Sequence, residues 1–317
     1  MKKILIIGGL GYIGGRMANF LSQKGYIVRI STRKPQENWP FNLPLNTPII
    51  QLDYRSSEQL NKAMNGIDVV IHLAGPDAHT NFENSNILIK KHLDLTRRLF
   101  HSADRNNVKY FIYFSTIHVY GNNLVDNVTE ETKTSPIYPF AQAHLKAEEI
   151  IRSQVLTTKA IIIRCSNTFG VPHFENEKCW NLVINNLCKS AFEKGKLILK
   201  SSGGQYRDFI SMENVINATY HLLELPFSDL SETLFNLGSS KTFKIIEMAN
   251  NIKKILKNNF KIDYPIEING QSSEKINNTY NVSIDRLQKT GWVVKNDDIE
   301  TISLLKHYQD KQHRVLN

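Results

Sequence analysis

Apolar positions fall into two rhythms along this chain. Short apolar runs at residues 4–7, 27–30, 69–73, 111–114 and 161–164 have the length and composition of buried parallel strands. Between them, residues 15–24, 57–65, 84–106 and 140–154 place apolar side chains three and four apart, the spacing of amphipathic helices. The alternation predicts an α/β fold built on a doubly wound parallel sheet of the Rossmann type.

Past residue 165 the alternation loosens. Weaker strand signals at 197–199 and 235–237 and a Gly- and Ser-containing stretch at 201–205 predict a smaller C-terminal lobe. The expected division is a dinucleotide-binding domain over 1–165, to which the chain returns around 205–235, and a mainly substrate-binding lobe over 166–317. Two helical stretches, 245–256 and 299–308, close the chain around an Asn-, Lys- and Ser-rich link.

Composition narrows the class. The 317 residues are 41% hydrophobic, enough for a core and against intrinsic disorder. No run approaches the roughly 18 apolar residues of a membrane span, and the first apolar run leads into glycines instead of a cleavage site, so a cytoplasmic chain without an export signal or membrane partner is expected. Cys165, Cys179 and Cys188 match no zinc or redox spacing; they read as reduced thiols, with no metal site. The net charge of +9 favours anionic partners. Because the cations are scattered and not interleaved with stacking aromatics, a nucleotide or nucleotide sugar fits better than nucleic acid.

The first run is followed by Gly8, Gly11 and Gly14 and then by helical spacing. A strand that turns tightly into a helix, with glycines letting the backbone approach, is the arrangement that holds a dinucleotide pyrophosphate at a helix N-terminus. Tyr12 and Ile13 sit inside this turn. An NAD site usually ends its second strand on a carboxylate, but here the strand ends on Thr32, Arg33 and Lys34. A hydroxyl and two cations suit a 2′-phosphate, which puts NADP(H) ahead of NAD(H). Asp53 is a candidate acceptor for the adenine amino group.

Several motifs in order along nearly the whole chain resemble the extended short-chain dehydrogenase/reductase family, and within it the nucleotide-sugar epimerases, dehydratases and reductases. Gly8-x-x-Gly11-x-x-Gly14 resembles its glycine motif, and His72-Leu73-Ala74-Gly75 its loop after the fourth strand, against the cofactor. The segment from Phe114 to Gly121 resembles the one ending in Val-Tyr-Gly, with Thr116 in place of the catalytic Ser/Thr. Arg164-x-x-Asn167-x-Phe169-Gly170-x-Pro172 resembles a cofactor- and substrate-contacting loop, Arg207-Asp208-Phe209-Ile210 the motif whose arginine binds the nucleotide diphosphate, and Phe235-Asn236-Leu237-Gly238 the strand that follows.

The chain departs from the family at its Tyr-x-x-x-Lys pair. Aligning Pro139 and Ala147-Glu148 puts Phe140 at the tyrosine position and His144 at the lysine position. Phenylalanine cannot exchange a proton with a substrate oxygen, and losing a general acid/base costs about 10²- to 10⁴-fold. Phe140 and His144 lie one helical turn apart on one face, and an imidazole can hold a ribose or pass a proton. Four readings stand. The donor is relocated to Thr116, His144, His118 or Tyr138; Phe140 replaces a native tyrosine to trap a complex; the protein binds cofactor and sugar without catalysis; or both residues serve packing.

The resemblance implies an enzyme acting on a nucleotide-activated sugar. The NADP(H) leaning points to a reductase of a nucleotide-linked keto-sugar, with a 4-epimerase or a non-catalytic NADP(H)-binding module as alternatives. A 4,6-dehydratase is disfavoured because Ile117 and His118 follow Thr116 where that class carries Asp-Glu. The resemblance also implies a homodimer through the helices at 84–106 and 140–154, with Leu88, Leu95, Leu99, Leu145, Ile150 and Ile151 either as its apolar face or as cover for the sheet. Loops at 80–85, 172–180 and 205–207 are expected to choose the sugar, and the abundance of Asn and Lys hints at an AT-rich bacterial genome and surface-polysaccharide synthesis.

Overall fold

The structure is a computed structural model that describes residues 2–40, 47–76, 85–174, 177–270 and 278–316. Its first half runs β1 (Lys3–Ile7), α1 (Tyr12–Gln23), β2 (Ile27–Thr32), β3 (Ile49–Gln51), α2 (Ser57–Met64), β4 (Val69–His72), α3 (Ser85–Arg105), β5 (Tyr110–Thr116), β6 (Asp126–Val128), α4 (Pro139–Ser153) and β7 (Lys159–Cys165). The second half runs β8 (Asn167–Phe169), α5 (Val183–Lys194), β9 (Leu197–Leu199), β10 (Tyr206–Ser211), α6 (Met212–Glu224), β11 (Leu234–Leu237), β12 (Thr242–Lys244), α7 (Ile245–Ile255), β13 (Ile266–Ile268), β14 (Tyr280–Val282), α8 (Asp285–Lys289) and α9 (Asp298–Leu316).

Seven strands form one sheet in the order β3-β2-β1-β4-β5-β7-β11, every neighbouring pair parallel. The two directions of winding meet between β1 and β4, the crevice where such sheets bind ligands. In β1 the alternate residues divide the core. Ile4 and Ile6 face Met17, Ala18 and Leu21 of α1 and Val215 and Ile216 of α6. Leu5 and Ile7 face Leu60 and Met64 of α2, Leu99 and Phe100 of α3 and Ala147 and Ile151 of α4. The run is apolar throughout because both of its faces are buried.

The five apolar runs are strands and the four periodic segments are helices, so the expected α/β class holds. Helix α6 escaped the sequence reading: it is buried along most of its length, Asn214 included, which blurs any amphipathic stripe. Outside the main sheet, α5, α7 and α9 share a second core around Trp180, Leu187, Ile252 and Leu304, with the short pairs β9-β13 and β8-β10-β12 at its edge. The three cysteines are free and buried. Among the described residues, no helix is long and apolar enough to cross a membrane. Leu99 and Ile151, expected on an intersubunit face or as cover for the sheet, pack beneath the sheet of their own chain, and Leu95 leans on the same cluster.

One ion pair ties α4 to the sheet. Arg164 of β7, 2% exposed, donates to both Glu148 carboxylate oxygens, at 2.7 Å through Nη2, and Glu148 is 1% exposed. Ser115 of β5 donates to the same carboxylate, and the guanidinium also donates to the Tyr120 hydroxyl at 2.9 Å. Glu148→Gln is expected to cost about 3 kcal/mol in a urea titration, because it leaves the buried guanidinium without its counter-charge.

Two histidines are buried between β4, β5 and α3. His72 bonds Thr96 through Nε2 at 3.1 Å, and His92 bonds the Tyr113 hydroxyl at 2.8 Å. Burial first, then the neighbouring His144 ring, pushes His72 down to about 3 and His92 well below the ordinary histidine value. Both are neutral in the folded chain, whereas in the unfolded chain they take up protons below about pH 6.5. Their neutrality costs nothing above that pH. The midpoint of thermal unfolding should therefore fall as pH drops from about 6.5 towards 3, and His92→Gln should flatten that slope.

Candidate functional site

The glycine turn sits at the C-terminal end of β1. Gly8 has φ of +85°, a left-handed conformation, and a Cβ there would lie 2.9 Å from the Ala74 nitrogen. A Cβ on Gly14 would stand 2.5 Å from the Gly8 carbonyl oxygen, so only glycine lets α1 start this close to the strand. The Gly11 N–H donates back to Gly8 O at 2.9 Å, and Gly11 is the N-cap of α1. The cradle fits a dinucleotide pyrophosphate, whose charge the helix N-terminus favours. Tyr12 can serve it only through its backbone. Its hydroxyl donates to Gly170 O at 2.8 Å and accepts from Asn185, which pins α1 to the second lobe. Ile13 packs on the core. Leu73 donates its N–H to Ile7 O, which brings Ala74 and Gly75 beside the glycine turn.

Beyond β2, Arg33 and Lys34 are exposed, whereas Thr32 is buried and its hydroxyl accepts the Lys34 N–H at 3.1 Å. Thr32 shapes the turn, and the two cations are the groups that face outward. Asp53 already holds Arg55 through both carboxylate oxygens, at 3.0 and 3.1 Å, an exposed pairing that lowers its carboxyl below the usual range.

The reaction centre is assembled from the end of β5, the turn after it and the first turns of α4. Pro139 is at the start of α4, where its missing N–H leaves no helical bond unmade. Phe140 packs edge-on to His118, ring centroids 5.4 Å apart, and stacks on Tyr138 at 5.9 Å. The Tyr138 hydroxyl accepts from Asn122. Thr116 ends β5 half-buried and its hydroxyl accepts the His118 N–H at 3.3 Å. His118 is also half-buried, and its ring lies near the Asn167 side chain. Desolvation, followed by the charge of Arg207, brings His118 down to about 4.

His144 stands one turn along α4. Its Nδ1 meets the Tyr113 hydroxyl at 2.8 Å and its Nε2 the Pro76 carbonyl at 3.3 Å. Burial drives it down to about 4 despite the Pro76 carbonyl, which acts the other way. A Cβ on Gly75 would come within 3.0 Å of the ring, so the glycine makes room for the imidazole. On the second-lobe side, Asn167 of β8 donates to Asp208 O at 2.8 Å, and Arg207 of β10 reaches Gln205 and Tyr280. Burial lifts the Asp208 carboxyl to about 7, and it accepts from the N–H and hydroxyl of Ser239.

The structure thus brings Thr116, His118, Phe140, His144, Asn167 and Arg207 together near the loop of Gly75, which adjoins the glycine turn. Sequence reasoning missed Tyr113, His92 and Tyr280. The first two had a signal: a histidine and a threonine, His92 and Thr96, on the buried stripe of α3, facing a tyrosine inside an apolar strand. Arg164, which shares a motif with Asn167, contacts Glu148 and Tyr120 and serves the core. Of the loops expected to choose the sugar, residues 80–84 and 175–176 lie outside the described residues, while Phe174 and Trp180 are buried in the two cores.

Comparison with known proteins shows the fold and the family of the chain. The chain is 27% identical over 270 residues to UDP-N-acetyl-alpha-D-glucosaminuronate decarboxylase of Bacillus cytotoxicus, covering 82% of each chain. It is 26% identical over 295 residues to UDP-arabinose 4-epimerase 1 of Arabidopsis thaliana, covering 82% of this chain and 69% of the relative. Its fold matches a crystal structure of UDP-glucose 4-epimerase with a TM-score of 0.82 at 22% identity, over 98% of both chains. Residues 4–238 match the NAD dependent epimerase/dehydratase family, and the chain belongs to that family.

Proposed function

We propose that the chain is an NADP(H)-dependent reductase of a nucleotide-linked keto-sugar in which His118 provides the proton. The observation that carries this reading is the place of His118, between the family tyrosine position, filled by Phe140, and the substrate-side pair Asn167 and Arg207. A bound nicotinamide dinucleotide would supply the two-electron exchange. Gly8, Gly11 and Gly14 would hold its pyrophosphate, and Arg33 and Lys34 its 2′-phosphate.

The proton chemistry belongs to the chain. The Asn167 amide donates to Asp208 O at 2.8 Å, and its carbonyl oxygen, near His118, would accept one ring N–H of that imidazole. That bond fixes the imidazole and leaves its other nitrogen for the proton that moves. Unliganded, His118 is neutral at pH 7 because it is desolvated and close to the Arg207 cation. A diphosphate on Arg207 would offset that cation and raise the affinity of His118 for a proton, while the larger effect of burial would remain. Thr116 adds a hydroxyl at the same face. With these roles, residues 1–165 would form the dinucleotide-binding part, to which the chain returns through α6 and β11, and 166–317 mainly the substrate-binding lobe; a homodimer would use the outward faces of α3 and α4.

The similarity to UDP-arabinose 4-epimerase favours a second reading, a nucleotide-sugar 4-epimerase. Such an enzyme returns its cofactor to the starting state, whereas a reductase consumes NADPH. The test is the loss of NADPH absorbance with a nucleotide 4-keto-6-deoxy sugar. Turnover by the native chain and a loss of about 100-fold in kcat for His118→Ala are expected. Turnover by Phe140→Tyr alone would assign the proton to position 140, and no oxidation by either chain would move the reading to the epimerase or the binding module.

Cofactor choice gives a separate expectation. Replacing Arg33 and Lys34 together with alanine should weaken NADPH binding by about 10- to 100-fold in a fluorescence titration and leave NADH nearly unchanged, since charge-assisted bonds to a 2′-phosphate contribute about 1.5–3 kcal/mol.

A further inference from the structure

We infer that Tyr113 and His92 are positioning residues that hold His144 as a neutral imidazole with its proton on Nε2, so that a neutral N–H, not a cation, faces the loop of Gly75 and Pro76. The inference rests on the reading above only in taking that loop as the cofactor's.

The donors and acceptors leave one consistent arrangement. A proline carbonyl only accepts, so the 3.3 Å contact between His144 Nε2 and Pro76 O places a proton on Nε2. In a neutral ring Nδ1 is then the acceptor, and the Tyr113 hydroxyl, 2.8 Å away, donates to it. The Tyr113 oxygen, having given its one hydrogen to His144, accepts from His92 Nε2, also at 2.8 Å. The chain of donation therefore runs His92 to Tyr113 to His144 to Pro76. Adding a proton at Nδ1 would make both imidazoles donate to one phenol oxygen and leave the phenol hydrogen with nothing in the chain to receive it.

The surroundings act in the same direction. The ionisable groups facing the ring are His92 from α3, His72 from β4, Tyr113 from β5 and His118 from the turn after β5. Burial keeps the three other imidazoles neutral and the phenol protonated. Glu148, one turn further along α4, is engaged by Arg164 and Ser115. Nothing in this set rewards a charge on His144. Where the family has a lysine cation beside a tyrosine, this chain has replaced both members, and the replacement imidazole is backed by Tyr113 and, through it, by His92.

The test is nitrogen NMR of histidine-labelled protein, with His144 assigned by its loss in His144→Gln. Spectra are recorded first without a cofactor, so that a wrong tautomer is told apart from a chain that binds no dinucleotide. Between pH 8 and 5 the native His144 is expected to show a protonated Nε2, a bare Nδ1 and no titration. Tyr113→Phe should mix the tautomers and weaken NADPH binding about five- to tenfold, the loss of one hydrogen bond. His92→Gln, which keeps a donor for the phenol, should preserve the native His144 signals, whereas His92→Leu should mix them. A native His144 that titrates between pH 6 and 7, or that carries its proton on Nδ1, overturns the inference, as does a His144 signal unchanged in both Tyr113→Phe and His92→Leu.

Discussion

The placement of the whole reaction centre depends on the buried pair of Arg164 and Glu148. Glu148 is carried by α4, the helix that presents Phe140 and His144. Arg164 lies on β7, Ser115 on β5 just before Thr116, and Tyr120 closes the turn that bears His118. A single carboxylate and a single guanidinium therefore fix three segments that come from different parts of the chain. Such a pair adds little net stability over a well-packed apolar core, because both ions must first be desolvated. Its value lies in direction. Hydrogen bonds of 2.7–3.1 Å set where α4 stands along the strands in a way that Ala147 and Ile151 packing on the sheet cannot.

The Tyr120 hydroxyl extends this tie to the edge strand of the main sheet, donating to Asn236 of β11, whose own N–H donates to Glu130. The site is thus held from its sheet side by charge and from its outer side by the turn Gly238–Ser239, which Asp208 anchors. Burial raises the Asp208 carboxyl to about 7 even though the hydroxyl and amide hydrogens it accepts from Ser239 act the other way.

Much of this was legible in the sequence, for a physical reason. Strands buried on both faces, as in β1, must be apolar at every position, and a helix covering one face must be periodic, so the sheet and its flanking helices leave a strong pattern. The glycine turn is equally visible because Gly8 and Gly14 meet backbone where any Cβ would clash. What escaped were features that sequence spacing does not encode. Tyr113 and His92 are 21 positions apart and meet only because β5 and α3 pack together. Tyr12 looked like part of the cofactor loop, but its hydroxyl is used to bind Gly170 and Asn185, on segments that fold against it from much later in the chain. Thr32 read as a ligand beside two cations, yet burial turns it inward to form the bend that exposes them.

The exchange of a tyrosine and a lysine for Phe140 and His144 is best understood as one change. A lysine cation is useful beside a phenol because it eases loss of the phenol's proton. With phenylalanine in that place the cation would have no acid to tune, and it would stand desolvated in a pocket lined by His92, His72 and Tyr113. A neutral imidazole avoids that cost and still offers one N–H to the nucleotide loop. The proton that the lost phenol would have handled then needs a group on the other side of Phe140, and the only ring that touches it there and also reaches Asn167 and lies near Arg207 among the described residues is His118. In the proposed reaction the proton would thus be handled on the substrate side of Phe140 and not on the side of the nucleotide loop.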